Sequence, residues 1–573
     1  MKRLLSRRVA MAGRALPGAV LLLVAAVFLA GAASALAGDV LLLDRAGKSV
    51  SRVDATTLAV KATAVLPDAP TRVVLSPDGA TVVVLCRGEG DDKYDGFRAK
   101  TKSKAFLIDA ATLKEKARVE LGFGIGPAFW DAPGANLVLL AQGFPHTNPE
   151  KRQTATVVSI DREGKARRVP FVRAASDMVT SADGTVAAVL TSKAEGPAQV
   201  VFVDLAAGTA AEPVILPGEP KELLLAPDGK TFYALSRGQP KGFGNVPGSL
   251  AVFSLPKRQK TGDLKLSAIT AVGGFDRTGR LVLGGGKAGE VKEPRLYVVR
   301  GNAVEYDVPG SNSPQLFRFS PDGRSAWAIG WESAQVEFGD FSAPPAVTIR
   351  KIPSSGTLEL TPDGRLALVP DFDGKGVSNV LIFEVATGKK LKSFDTASFG
   401  ARLGAGVAAA GATLASMDAG RQDAEAHGRS TYSYSIYGPK TDIPRGKPIV
   451  IRPDGKVAYV YDPFGSTILQ VDLEKLEKGR RQSAGGGSRG LYLTGGGKTL
   501  LIATEGGLNV YDAFTFGEPV VTKTDGPADI AMGPGGEALL LAKGLVAVVD
   551  PATGKVGAKA TTWKEPAIGA FLP

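Results

Sequence analysis

Apolar residues in this chain fall in short consecutive runs, and the runs come in pairs split by a tight polar turn. The sequence TRVVLSPDGATVVVLC, Thr71–Cys86, shows the unit: an apolar run, Pro-Asp-Gly, and a second apolar run. It returns as KELLLAPDGKTFYAL at Lys221–Leu235, QLFRFSPDGRSAWAIG at Gln315–Gly330 and IVIRPDGKVAYVY at Ile449–Tyr461. Runs this short, apolar at consecutive positions and bounded by turn residues, predict strands covered on both faces. The Gly supplies the positive φ of a tight hairpin, and the Asp accepts bonds from the turn backbone. Weaker copies stand at Pro133-Gly134, Ser181–Gly184, Asp276–Gly279, Thr361–Gly364, Ala410-Gly411, Thr494–Gly497 and Gly533–Gly536.

A second unit alternates with the first: an apolar run, an acid, then a Thr-Gly type of turn. Examples are FLIDAATLK at 106–114, VFVDLAAGT at 201–209, LIFEVATGK at 381–389, LQVDLEK at 469–475 and VAVVDPATGK at 546–555. This alternation resembles the YVTN and WD40-like β-propeller repeat families, of the exported bacterial type, from about residue 40 to the C-terminus. The resemblance implies an all-β fold of four-stranded blades, strands a to d running outward from a central channel. The Pro-Asp-Gly turn then joins a to b, and the acid–Thr-Gly turn joins c to d. Successive a–b turns lie roughly 40 to 56 residues apart, a blade's length.

The chain enters the repeat at VLLLDR, 40–45, in the phase of a b strand, and AIGAFLP, 567–573, is in the phase of an a strand. The C-terminal strand is therefore expected to complete the first blade, which removes two exposed sheet edges. About twelve blades follow. That exceeds one ordinary ring, so two tandem propellers are expected, over residues 38–310 and 311–573, with seven plus five blades as the alternative to six plus six.

Gly and Pro number 71 and 37 among 573 residues, nearly one in five, in keeping with many turns. Lys2, Arg3, Arg7, Arg8 and Arg14 precede an apolar stretch from Ala15 to Ala33 and the small-residue end Ala35-Leu36-Ala37. This is the layout of a cleaved export signal over residues 1–37, and it predicts a periplasmic or secreted protein with no stable membrane span after cleavage. An uncleaved anchor is the competing reading of the same stretch. Five of the positive charges lie in this leader, so the formal +12 leaves +7 on the mature chain. That excess does not argue for nucleic acid. The clusters Lys165–Arg168, Lys257–Lys260 and Lys478–Arg481 are expected to be solvated turn faces.

One Cys and two His exclude an intramolecular disulfide, a thiol-based zinc finger, a two-Cys redox centre and three-His metal sites. Gly486–Gly490 fits G-x-S-x-G but precedes a strand rather than opening a helix. No C-x-x-C-H for covalent haem exists. The long connections are expected between b and c, at Arg87–Lys104, Gln142–Gln153, Ser236–Pro247, Gly285–Glu293, Pro370–Ser378 and Asp418–Ser430, all on one face. Asp91, Asp92, Tyr94 and Asp95 form an acidic cluster there, and Asp371 with Asp373 forms a second. Neither has the full acid series of a calcium loop, so no cofactor is expected, with Ca²⁺ the ion either cluster would suit. His146, Trp331 and His427 join them on the ligand-binding face, while Trp327 is expected in the core. The expected function is a non-enzymatic binding or scaffold module for a protein, peptide or cell-envelope ligand. The alternative is a metal-assisted lactonase or hydrolase drawing on Asp91, Asp371, Asp373 and a His.

Overall fold

The computed structural model describes most of residues 38–573; residues 1–37, 397–446 and several loop positions lie outside the described residues, and strands within 314–351 are described almost entirely by their backbone. The described chain is all-β. Its main sheets are eleven antiparallel sheets of four strands, one with a small fifth segment, against the expected twelve or so. Strands consecutive in the chain pair in nine of them, and a tenth is interrupted only by a small hairpin between its second and third strands, which is the blade of a β-propeller. We number the blades 1–11 by their b strands: Asp39–Asp44, Thr81–Cys86, Asn136–Ala141, Val186–Thr191, Thr231–Ser236, Leu281–Gly286, Ser325–Gly330, Leu366–Phe372, Val457–Asp462, Thr499–Thr504 and Ala538–Ala542.

The consecutive apolar residues of a b strand serve two cores at once. In blade 2, Val82, Val84 and Cys86 pack toward blade 1, whereas Val83 and Leu85 pack toward blade 3. In blade 1, Val40 and Leu42 face blade 11 while Leu41 and Leu43 face blade 2. Alternation between two buried faces explains why these runs lack polar positions. Between blades 4 and 5 the core is aromatic, with Phe232 stacked on Phe253 at 4.7 Å and Phe202 edge-on to Phe232 at 6.0 Å.

The turns are built as the sequence suggests. Ser76 Oγ donates to Asp78 Oδ1 (2.6 Å) and accepts from Thr81 N–H (2.9 Å), with Gly79 at φ +70°. Ser181 with Asp183 and Thr361 with Asp363 repeat the device. In the c–d turns Asp54 Oδ1 accepts from Thr57 N–H (2.8 Å), Thr56 N–H (3.0 Å) and the Thr57 hydroxyl (3.0 Å). Asp109 and Asp512 do the same. A further repeated device lies outside the turn pattern. The first residue after strand d, Leu66, Leu121, Leu216 or Leu266, is buried and donates its N–H to the residue before strand c, closing each loop end.

Blade 1 takes its inner strand from the C-terminus, as expected. Pro566–Phe571 pairs antiparallel with Asp39–Asp44, and the order across the sheet is the C-terminal strand, then Asp39–Asp44, Ser49–Asp54 and Val60–Val65. Ile568 is buried toward blade 11 and Leu572 toward blade 2. Trp563 donates Nε1–H to Ser51 Oγ (3.2 Å), and Leu572 N–H bonds Asp39 C=O (2.7 Å).

Shared cores link blades 1 to 6 in succession, and blades 8, 9, 10, 11 and 1 likewise. Across the boundary expected near residue 310, the inner strand Ile269–Phe275 of blade 6 packs on Pro314–Phe319 of blade 7, and Phe319 covers the outer core of blade 6. Blade 1 thus sits between blades 2 and 11. The turn expected at Ala410-Gly411 lies outside the described residues. The blades flanking that stretch, 8 and 9, pack directly on each other, with Lys447 Nζ 3.0 Å from Glu359 Oε2.

The three basic clusters are exposed, as expected of solvated turn faces, and each also carries at least one arginine that reaches a neighbouring blade. Arg167 donates to the Leu205 and Ala206 carbonyls of blade 4, and Arg168 to the Glu120 carbonyl of blade 2 (2.6 Å). Arg480 and Arg481 of blade 9 repeat this, donating to Thr515 C=O (2.9 Å) ahead and Asp395 C=O (3.0 Å) behind. Arg258 pairs with Asp204 of the preceding blade at 2.8 Å. Adjacent d strands end close enough for an exposed guanidinium to reach the next blade's carbonyls.

Candidate binding face

Strands a and c start, and b and d end, on one face of each blade, so the b–c and d–a connections share it. On the opposite face the a–b and c–d turns are short and hydrogen-bonded shut. The b–c connections are unequal around the protein. In blades 2 to 6 they span 87–103, 142–155, 192–198, 237–248 and 287–294. In blades 1, 9, 10 and 11 they shrink to 45–48, 463–466, 505–506 and 543–544. The long ones thus rise from five blades that pack in unbroken succession.

The predicted site residues meet this face unevenly. Asp91 and Asp92 lie not in an open loop but in a hairpin, Gly90–Lys93 against Gly96–Ala99, where Asp91 pairs with Arg98 and Asp92 with Phe97. Asp371 is a strand residue paired with Asn379, because blade 8's b strand runs on to Phe372 and leaves only 373–377 as connection. Tyr94, Asp95, His146, Trp331, Asp373 and His427 lie outside the described residues. Among the described residues no group of three or more His, Cys, Asp or Glu is placed to hold a metal, and no helix is long and apolar enough to cross a membrane.

The bases of the long connections are well defined. Lys104 Nζ reaches Asp68 Oδ2 (2.8 Å), Lys102 pairs with Glu120 (2.7 Å), and Gln142 Nε2 bonds Ser176 C=O (3.0 Å). Arg173 donates to the Pro197 carbonyl (2.8 Å). Three aliphatic side chains stand in water at the d-strand ends on this face: Val65 of blade 1, Val172 just beyond blade 3 and Ile215 of blade 4, exposed 79%, 81% and 62%.

Beneath the connections the inner strands carry charge that sequence reasoning passed over. In blades 2, 4 and 5 strand a is bulged at its second residue, Thr71, Ser176 or Lys221, and the next residue is Arg72, Asp177 or Glu222. A bulge re-aims the side chains that follow it and is common beside functional sites. Arg72 donates to the Gly126 carbonyl (3.1 Å) while its buried Nε has no partner among the described residues, and burial lowers its pKa. Burial pushes the Asp177 carboxyl up to about 6 against two backbone N–H bonds that pull it down; the Glu222 charge adds to the rise. The signal that could have found these residues is a charge at the third position of an inner strand, just ahead of its apolar run, as in PTRVVL, ASDMVT and PKELLL.

No known protein family matches the chain in sequence, and no curated protein matches it. Among solved structures, the chain is similar to a eukaryotic initiation factor at 11% identity and TM-score 0.42, covering 85% of this chain and 96% of that one. The C-terminal WD40 domain of Sif2 is similar at 12% identity and TM-score 0.33, over 68% and 93%. The dihydro-heme d1 dehydrogenase NirN in complex with DHE stands at 15% and 0.32, over 62% and 73%. The propeller description of this chain rests on its own sheets.

Proposed function

We propose that this chain is an exported propeller of the YVTN-like kind that works as a non-enzymatic binding or scaffold module, periplasmic or secreted, gripping a protein, peptide or cell-envelope ligand with its loop-bearing face. The observation that carries this reading is the inequality of the b–c connections. Five packed neighbours, blades 2 to 6, bear extended connections on one face, whereas four others close the same step in a short turn. A rigid scaffold that elaborates one arc of one face is built to present a surface. The exposed Val65, Val172 and Ile215 on that face add apolar area for a partner to cover.

The test compares the mature chain with a variant in which 87–103, 142–155 and 237–248 are each replaced by the short connection of blade 9. Both are used as bait on the organism's own envelope fraction, with metal content measured in parallel. Partners captured only by the unmodified chain support the reading. Identical capture by both, or a stoichiometric metal with hydrolytic turnover, overturns it. Intact-mass measurement of the exported protein checks the predicted cleavage after Ala37.

A further inference from the structure

We propose that Arg72 anchors a carboxylate of the ligand, at the inner edge of the loop-bearing face and beside an apolar wall. The proposal rests on the reading of that face as a binding surface and adds the chemistry of what it takes. Arg72 stands on the inner strand Pro70–Leu75 of blade 2, just past the bulge at Thr71 and near the end where the long connections rise. Its Nη2 donates to the Gly126 carbonyl (3.1 Å), in the connection 121–127 that leads into blade 3. Its Nε is sealed from water and has no partner among the described residues. A guanidinium has five N–H donors, and here only one nitrogen is hydrogen-bonded.

The protein supplies no counter-charge there. On one side the inner strand of blade 1, PAIGAF, packs beside Pro70–Leu75 and has no ionisable residue. On the other side LGFGIGP, 121–127, has none either. Its alternate glycines lie flat on blade 3: a Cβ at Gly122 would stand 2.9 Å from Ala141 Cβ, and one at Gly126 2.7 Å from Gln142 Cγ. Phe123, between them, is left half-buried. Asp68 is engaged by Lys104 (2.8 Å), and Asp177 of blade 4 by the N–H groups of Leu223 and Met178. A cation drawn out of water without an anion costs stability, and a ligand that brings the anion recovers it. One guanidinium matches one carboxylate, whose two oxygens fit its planar fork. A phosphate dianion would call for a second cation, which the two flanking segments lack. The neutral wall of Phe123, Ile125, Ala567 and Ala570 fits an apolar group next to the carboxylate, as in an apolar peptide with a free C-terminus or an acidic side chain.

The test uses the full mature chain with hydrocinnamate as probe, its neutral amide as control and inorganic phosphate as the rival anion, all at constant ionic strength. Hydrocinnamate should raise the melting temperature in a saturable way, and the amide should not. R72M should weaken the probe's affinity roughly ten- to a hundredfold, the loss of one charge-assisted pair. R72K, which keeps the charge without the planar fork, should fall between the two. No saturable response in wild type, equal responses to acid and amide, or phosphate bound as tightly as hydrocinnamate overturns the proposal. Undiminished affinity in R72M does so too, and if R72M fails to fold, undiminished affinity in R72K takes its place. Envelope partners captured by a chain that answers to no carboxylate would sink this assignment and leave the binding-module reading standing.

Discussion

Removing the last strand should loosen the beginning of the protein. Deletion of residues 565–573 takes away the inner strand of blade 1 and with it Ile568 and Leu572, 3% and 8% exposed, which seal the cores toward blades 11 and 2. Two large aliphatics returned to water cost roughly 3–6 kcal/mol together. Loss of the ladder to Asp39–Asp44 adds a few hydrogen bonds at about 0.5–1.5 kcal/mol each. The total, roughly 5–10 kcal/mol, rivals the stability of a whole domain, about 5–15 kcal/mol. Amide exchange resolved along the chain should show lost protection in Asp39–Val65 and on the facing strands Thr81–Cys86 and Ala538–Ala542, with a lower melting temperature. A synthetic peptide of 563–573 added back should restore protection in a saturable way. Unchanged protection of Asp39–Val65 in the truncated chain would refute the reasoning.

Gly79→Ala and Gly229→Ala, at φ +70° and +64°, should each lose about 1–2 kcal/mol in urea titration, because an L side chain is strained there. Phe232→Ala, which empties the stacked aromatic core of blades 4 and 5, should cost about 3–5 kcal/mol by the same assay. Asp54 and Asp78 are both held down to about 2, the first chiefly by the Thr57 N–H and the second chiefly by the Ser76 hydroxyl. Depressed carboxylates stabilise the fold above their ordinary value near 3.8, and that contribution disappears as pH falls toward 2. The urea midpoint should therefore drop across that window, and less so in D54N/D78N. Arg480→Ala should lower the melting temperature modestly and with little salt dependence, since its partner is the neutral Thr515 carbonyl.

Much of this was legible in the sequence because a blade is a local object. TRVVLSPDGATVVVLC contains two strands, their turn and the reason for the turn, and VLLLDR against AIGAFLP contains the closure of blade 1 in the phase of the repeat. The chemistry between blades was less visible, since it depends on which chain segment stands alongside. Arg480 and Arg481 read as solvent-facing charge and are exposed, but the carbonyls that blades 8 and 10 bring to them leave no mark in the sequence. Asp177 reads as one polar residue in ASDMVT until Leu223 arrives from the next blade. Asp371 is expected in a loop, yet the pairing of Pro370 with Val380 and of Asp371 with Asn379 carries the strand through it.

The closure of blade 1 also imposes an order in time. Its b, c and d strands are made before the strand that finishes it, with nearly all the other blades between them in the chain. At about 5–20 residues per second, more than five hundred residues of synthesis separate the two by roughly half a minute to two minutes. Through that interval Val40 and Leu42, which end up wholly buried, lack the neighbour that will cover them. Blade 1 is thus a sheet whose b strand must wait for a far later segment of the same chain before both of its edges are covered.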